Sequence, residues 1–418
     1  MPGAPDLAAS PALNHPSGNT PPSGLAKTLG FATAIQIIAT AAALALTAIV
    51  PMVVADVGLD VHFVGYQISL IYVAGTLASA YAGRTIERFG ALAVEQLCLA
   101  TFAIGLLCFA TGRLEWMVVG SLVIGVGYGW QNPAASQLLA GVVRPHTRNL
   151  VYSLKQAGVP LGGVVASLAV PALAAFFDWR LVLGVSALVP VAVLVLLHVM
   201  SSAQDRARPP VRASGQRSGF IADQKLLWAN PSLVALALIG FFYSAVQLSL
   251  SAFAVTTLVE DGAWKLVSAG AVAAAMQFAG AGGRIGWGFV ADRLGGGMGV
   301  LALLGVFGGL GSIALLFAID GPAWIQILLF VWLGLVWLGW NGVLLAEVAR
   351  HADVDQVGQA TGSVLVYVFI GVIVGPASFA LVAAGLASFS ATFAIYSLCG
   401  FCGAIAALRL RYRTRIAP

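Results

Sequence analysis

Two cations stand inside apolar runs: Lys155 in LVYSLKQAGVPLGG and Arg284 in MQFAGAGGRIGWGF. A charge within such a segment is costly in lipid and marks a functional site by default. Arg284 precedes Asp292 by eight residues and Lys155 follows Arg148 by seven. At the helical rise these spacings place them roughly 12 Å and roughly 10 Å from the same end of their segments. Two positive charges facing each other at similar depth repel unless an anion lies between them. Arginine offers a planar fork suited to a carboxylate, lysine a point charge. The chemistry expected is therefore anion binding. Each cation also has a structural reading: the stem of Lys155 can snorkel toward the interface, and Arg284 can pair with Asp292 or its loop.

Neutral polar side chains inside apolar segments form the next tier. Gln36, Asn132 beside Gln131, Gln156 beside Lys155, Tyr243 with Gln247 four residues on, Gln277 seven before Arg284, Asn341 and Tyr367 belong to it. Amides and phenols there either bind carboxylate oxygens or join helices. The candidate binding set is Arg284, Lys155, Gln36, Tyr243, Gln247, Gln277, Asn341, Asn132 and Tyr367. Embedded carboxylates are scarce, with Glu95 expected near a segment edge and Glu347 at a segment end. No dedicated proton relay is visible, and Lys155 is the side chain expected to titrate if protons are moved. His15, His62, His146, His198 and His351 are scattered, and no phosphate-binding loop occurs. No enzymatic activity, cofactor, metal or nucleic-acid partner is expected.

The elements that must position these side chains follow from composition. Of 418 residues, 60% are hydrophobic and 9% charged, against about 25% charged in an average soluble domain. Apolar runs long enough to cross a bilayer recur throughout. The fold class expected is an all-α membrane protein of twelve spans, at about 28–54, 64–84, 91–112, 115–140, 149–175, 180–201, 231–259, 266–290, 297–319, 322–348, 358–385 and 388–408. Residues 1–26, rich in Pro, Ser, Gly and Ala, read as a disordered tail. Residues 27–201 and 229–410 form two six-span domains, 202–228 a polar connecting segment and 411–418 a basic tail. The cysteines, including Cys399 and Cys402, lie in apolar runs where packing is the expected role.

The two halves repeat one another. Gly83-x-x-x-Glu87-Arg88-x-Gly90 returns 205 positions on as Gly288-x-x-Ala291-Asp292-Arg293-x-Gly295. Trp130 and Asn132 answer Trp340 and Asn341, and Gly158 and Gly162 answer Gly371 and Gly375, at offsets of 209 to 213. Glycines let connected helices approach closely, and the acid and arginine of each copy could pair across the turn. With the N-terminus assigned to the cytoplasm, 16 of the 21 Lys and Arg fall on that side and three outside. That bias predicts cytoplasmic termini. Parallel repeats around a midplane site are the plan of rocking transporters.

These features resemble the major facilitator superfamily over essentially all of 28–410, with its loop motif between spans 2 and 3 and again between 8 and 9. The second copy matches well; the first has Glu87 as its acid and no basic run after Gly90. The resemblance implies that Gly83, Glu87, Arg88, Gly90, Gly288, Asp292, Arg293 and Gly295 serve gating. A narrower resemblance is to the monocarboxylate and oxalate/formate carriers, which place an arginine in span 8 and a Gly-x-Pro-x-Gly segment in span 5, matched by Arg284 and Gly158-Val159-Pro160-Leu161-Gly162. It implies that Arg284 binds a substrate carboxylate. Two family positions differ: Gly280 stands where many monocarboxylate carriers have an acid, and span 11 lacks the basic residue of the oxalate carriers. The expected function is secondary transport of a small organic anion, a mono- or dicarboxylate, by proton symport or anion exchange. A monomer in a bacterial inner membrane is expected. A proton-antiporting exporter of drugs or other small molecules is the alternative, although its span-4 arginine would fall at Ser121.

Overall fold

The structure, a computed structural model, describes residues 24–58, 63–201 and 220–416. Nearly all of the tail expected over 1–26, residues 202–219 of the connecting segment and residues 417–418 of the basic tail lie outside the described residues. The first half consists of α1 (Leu25–Ala48), α2 (Val50–Val57), α3 (Phe63–Ala80), α4 (Ala82–Phe89), α5 (Ala91–Ala110), α6 (Leu114–Ala140), α7 (Arg148–Gln156), α8 (Gly158–Ala174), α9 (Trp179–Ser186) and α10 (Leu188–Met200). The second consists of α11 (Phe220–Ala229), α12 (Pro231–Glu260), α13 (Leu266–Arg293), α14 (Met298–Ala318), α15 (Ala323–Trp337), α16 (Asn341–His351), α17 (Val357–Leu386) and α18 (Phe389–Ile416).

Among the described residues, ten helical segments are long and apolar enough to cross a membrane. The pairs α7–α8, α9–α10 and α15–α16 each run on as one such segment. Helices α3 and α6 fall outside that set. The reason for α6 is chemical: Gly120, Gly125, Gly127, Gly129, Gln131, Asn132 and Ser136 make it polar, and all are buried. A helix surrounded by other helices can carry such residues because lipid does not meet them.

One hydrophobic cluster contains only residues between Ile35 and Leu197. The other is built mainly from the second half, joined by Leu139, Val151 and Tyr152 of the first. Those three lie at the end of α6 and in α7, where the halves meet.

Prolines interrupt the helices that face the centre, and each break leaves a carbonyl seeking a donor. Pro133 in α6 cannot donate to the Gly129 oxygen four residues back, and Ser79 Oγ of α3 donates to it at 2.8 Å. Pro160 likewise strands the Gln156 oxygen where α7 gives way to α8.

Candidate functional site between the halves

The repeated loop motif forms the join. Gly90 and Gly295 end the two copies with φ of 82° and 75°, a left-handed backbone that strains any other residue. A side chain at Gly83 would collide with Gln359 in the first turn of α17, and one at Gly288 with Ser153 in α7. Each motif thus presses against the start of a helix in the opposite half.

The second copy adds a charge to that contact. Asp292 Oδ1 accepts from the Asn149 main-chain N–H at 3.0 Å and from Asn149 Nδ2 at 2.9 Å, and Oδ2 accepts from the Leu150 N–H at 2.8 Å. These are unpaired N–H groups at the N-terminus of α7, so the carboxylate caps a helix of the other half and meets its dipole. Its loop is braced from α16: Glu347 Oε1 accepts from the Gly297 N–H at 2.6 Å, and Arg350 donates to the Gly295 oxygen at 2.8 Å. The acid–arginine pairing expected across the turn does not form here, because Asp292 spends both oxygens on α7. Arg293 instead lies 4.4 Å from the Phe289 ring centroid.

At the other join, Gln137 plays the capping part. Its Oε1 accepts from the Gly358 N–H at 2.7 Å and its Nε2 donates to the Val354 oxygen at 2.7 Å. Helix α11 reinforces this join. Gln359 Nε2 donates to Asp223 Oδ1 at 2.6 Å, and Asp223 is buried.

Above this closed end lies a cavity of about 100 Å³, lined by both halves. Asn132, Gln156, Tyr72 and Tyr128 face it from the first; Arg284, Gln247, Asn341, Ser244, Trp340 and Phe369 face it from the second. Asn341 Nδ2 donates to Gln247 Oε1 at 2.8 Å. Tyr72, Tyr128 and Phe369 form a three-ring cluster with centroids 6.0 to 6.2 Å apart, joining α3 and α6 to α17.

Arg284 is 4% exposed. Its Nε donates to the Leu338 oxygen at 3.0 Å and Nη1 to the Gln156 oxygen at 2.8 Å. Both acceptors sit at helix breaks, one between α15 and α16 and one stranded by Pro160. The guanidinium therefore ties the halves together, and the pairing with Asp292 considered from sequence is not made. Among the described residues Nη2 has no acceptor, and it is not sealed from the cavity that Arg284 lines.

Lys155 is 1% exposed and lies within the first half, off the cavity wall. Its Nζ donates to Gln36 Oε1 at 2.7 Å, to Gln131 Oε1 at 3.0 Å and to Asn132 Oδ1. Asn132 Oδ1 also accepts from Gln156 Nε2 at 3.1 Å. Three amide oxygens around one nitrogen use all three donors of an ammonium group. The side chain is locked inward, not snorkelling.

The structure thus brings Arg284, Asn132, Gln247 and Asn341 together, with Lys155 and Gln36 in an adjoining network. Three candidates lie elsewhere. Tyr243 is fully buried, donates to the Leu301 oxygen at 2.7 Å and packs against Trp337 and Trp340. Tyr367 accepts from Trp228 Nε1 and donates to Gln224 Oε1 of α11. Gln277 is exposed, with a 3.5 Å contact to Ser251. Helical spacing alone could not tell a cavity-facing phenol from one facing the core or the connecting helix. Glu95 lies five residues into α5, near the segment end as expected, but it is 1% exposed, closed over by its neighbours. The residues not anticipated are Tyr72, Tyr128, Ser244, Phe369, Asn149 and Gln137. Pro160, four residues after Gln156, was the one signal that a carbonyl there needed a donor.

Residues 29–376 match the sequence profile of the Major Facilitator Superfamily. The chain belongs to this superfamily. It is accordingly a multi-pass membrane transporter and not an enzyme. Solved superfamily members share the fold: the transporter FucP in its outward conformation aligns with a TM-score of 0.75 at 14% identity, covering 92% of this chain and 98% of that one. The proton:xylose symporter XylE aligns at 0.71 and 14%, covering 95% and 96%. In sequence, the niacin transporter NiaP of Acinetobacter baylyi is 24% identical over 134 residues, 32% of this chain and 30% of its own length. A triacylglyceride transporter of Mycolicibacterium hassiacum is 28% identical over 169 residues, 39% and 32% respectively. The matched stretches span about a third of each of these two relatives.

Proposed function

We propose that this transporter carries a small monocarboxylate by alternating access, its two six-helix domains (27–201 and 229–410) crossing the membrane twelve times and rocking about the Arg284 cavity. One observation carries the reading. Arg284 keeps unspent guanidinium N–H groups at a cavity whose lining includes no acidic side chain. A cation in that cavity would face the Arg284 charge with no carboxylate to offset it, whereas a carboxylate gains charge-assisted hydrogen bonds. This disfavours an exporter of cationic drugs.

The second cation argues for one carboxylate rather than two. Lys155 has committed its donors to Gln36, Gln131 and Asn132 and can offer only potential. Tyr72, Tyr128, Phe369, Leu344 and Leu365 suit an apolar body attached to that carboxylate. Niacin, named for one relative, is such a molecule, while the glucose and triacylglyceride transporters among the relatives are not.

In this reading the basic bias puts the closed end and both termini in the cytoplasm of a bacterial inner membrane. The conformation is the one closed to the cytoplasm, and the working unit is the monomer. Coupling is by proton symport or by exchange of one anion for another. Counterflow in proteoliposomes tests the substrate class with benzoate, nicotinate, lactate, oxalate and glucose. Exchange of the first three with weak oxalate exchange is expected. Glucose exchange without a carboxylate signal would overturn the reading.

A further inference from the structure

Glu95 is the buried group that the central cavity does not use. Both of its carboxylate oxygens are sealed from solvent and meet no hydrogen-bond donor. It lines a second, larger cavity of about 360 Å³. That cavity is lined by Gly24, Lys27 and Thr28 at the start of α1, by Leu138 and Val142 at the end of α6, and by Ser201 after α10. Those segments sit at the closed end of the molecule, where Gln137 and Asn149 join the halves.

The wall between this cavity and the Lys155 network is one layer thick. Ala32 lines the cavity, and Gln131 Nε2 reaches the Ala32 oxygen at 3.5 Å while Gln131 Oε1 accepts from Lys155 at 3.0 Å. Glu95 lies within coulombic reach of Lys155 and of Cys98 on its own helix. The other titratable groups around it are Lys27 on α1 and His198 on α10, the latter 3.5 Å from Gln96. Helix α6 presents neutral amides, Gln131 and Asn132.

We propose that Glu95 is a proton-binding site served by this side cavity from the closed end, and that its occupancy sets how much of the Lys155 charge reaches the central cavity. Three points lead there. A buried carboxylate with no donor is costly while ionised, and a proton removes the cost. Lys155 is held by three amide oxygens that do not themselves take up protons, which leaves Glu95 as the buried acid beside it. Another cation in the cavity would lie between Lys27 and Lys155, which a proton bound covalently to the carboxylate avoids.

The step is a simple protonation: when the Glu95 side chain turns from its sealed position into the cavity that it lines, water there passes it a proton, the carboxylate becomes a neutral acid, and the Lys155 charge is no longer offset. All lining residues belong to the first half, so rocking of the halves leaves access unchanged. Glu95 therefore reads the pH of one compartment throughout the cycle. It is a sensor, not a coupled-ion site that alternates between compartments.

The consequence for anion affinity rests on the monocarboxylate reading above; the proton site itself does not. The test uses infrared difference spectra of the full-length transporter in vesicles, acidified on the closed-end side alone. A carboxylic-acid carbonyl band that shifts in D2O is expected, absent in Glu95→Gln and retained in His198→Ala. Benzoate exchange, measured alongside, should tighten on that acidification by about tenfold, within the ordinary range of coupling between two sites. Glu95→Gln should be tight at both pH values. A spectrum unchanged by Glu95→Gln would overturn the proposal. If Glu95→Gln does not fold, Thr28→Trp, which plugs the cavity mouth, should slow the appearance of the band, and an unchanged rate would count equally against it. A Glu95 band without benzoate exchange would support the proton site and count against the carboxylate reading.

Discussion

Arg284 Nη1 donates to the Gln156 main-chain oxygen across 2.8 Å, joining the two halves through the carbonyl that Pro160 strands. The same guanidinium lines the central cavity. A carboxylate arriving there competes for the group that ties the halves, so binding and rocking draw on one side chain. Differential interaction of a ligand with two states is the only way it can shift their balance.

Replacing Asp292 by Asn should loosen the closed end. The carboxylate accepts three hydrogen bonds from Asn149 and Leu150, and an amide cannot accept at both of its terminal atoms. Losing one bond to a charged acceptor costs roughly 1.5–3 kcal/mol. Ser153, buried against Gly288 and Gly342, reports the opening. In a background without Cys98, Cys108, Cys399 and Cys402, Ser153→Cys should react with a hydrophilic thiol reagent at least about tenfold faster when Asp292→Asn is added. Equal rates would remove Asp292 from the gate.

Lys155 should tolerate neither removal nor enlargement. Lys155→Met leaves the Gln36, Gln131 and Asn132 oxygens facing a methyl group. Each buried acceptor deprived of its donor costs roughly 1–3 kcal/mol. Lys155→Arg must place a longer, planar group where three oxygens converge on one point. Both variants should lower the Tm in detergent by several degrees, and a Tm equal to wild type in Lys155→Met would contradict the network.

Much of this arrangement was legible in the sequence. The duplicated glycine motif marked both joins between the halves, and Arg284 stood out as a charge in an apolar run. What could not be read was direction. Tyr243 and Gln247 share a helical face by spacing, yet the Tyr243 hydroxyl reaches the Leu301 oxygen while Gln247 meets Asn341. Glu95 lies five residues after Gly90, which suggested an interfacial position, but α1 and α6 close over it. Capping of α17 by Gln137 was hidden because any polar side chain at that point of α6 would have looked the same.

At the opposite end, Asp261 accepts from the Ser390 N–H and Ser390 Oγ at 2.7 Å and from Ser388 Oγ at 3.0 Å. Partial burial raises the pKa of this carboxyl, but the bonds from Ser390, Phe389 and Ser388 outweigh it and hold the group below its ordinary value. A carboxyl lowered on folding stabilises the fold fully above its unfolded pKa of about 3.9, and the contribution is lost as pH falls through the lower folded value. Asp261→Asn keeps an acceptor oxygen but loses the charge, and should therefore reduce stability by roughly 0.3–1 kcal/mol at neutral pH, the scale of a charge at a helix N-terminus. Thermal unfolding of both proteins between pH 7 and pH 3 checks this. The difference should be constant down to about pH 4 and shrink below it; a difference that grows on acidification would contradict the assignment.

The central claim is that Arg284 anchors a carboxylate, and equilibrium binding of benzoate to Arg284→Lys tests it most directly. Lysine keeps the charge but not the fork. The variant should lose roughly 2–5 kcal/mol of binding, at least about thirtyfold in Kd, nearly as much as Arg284→Ala. Tm measured in parallel shows whether the fold persists. Wild-type benzoate affinity in a folded Arg284→Ala protein would contradict the account.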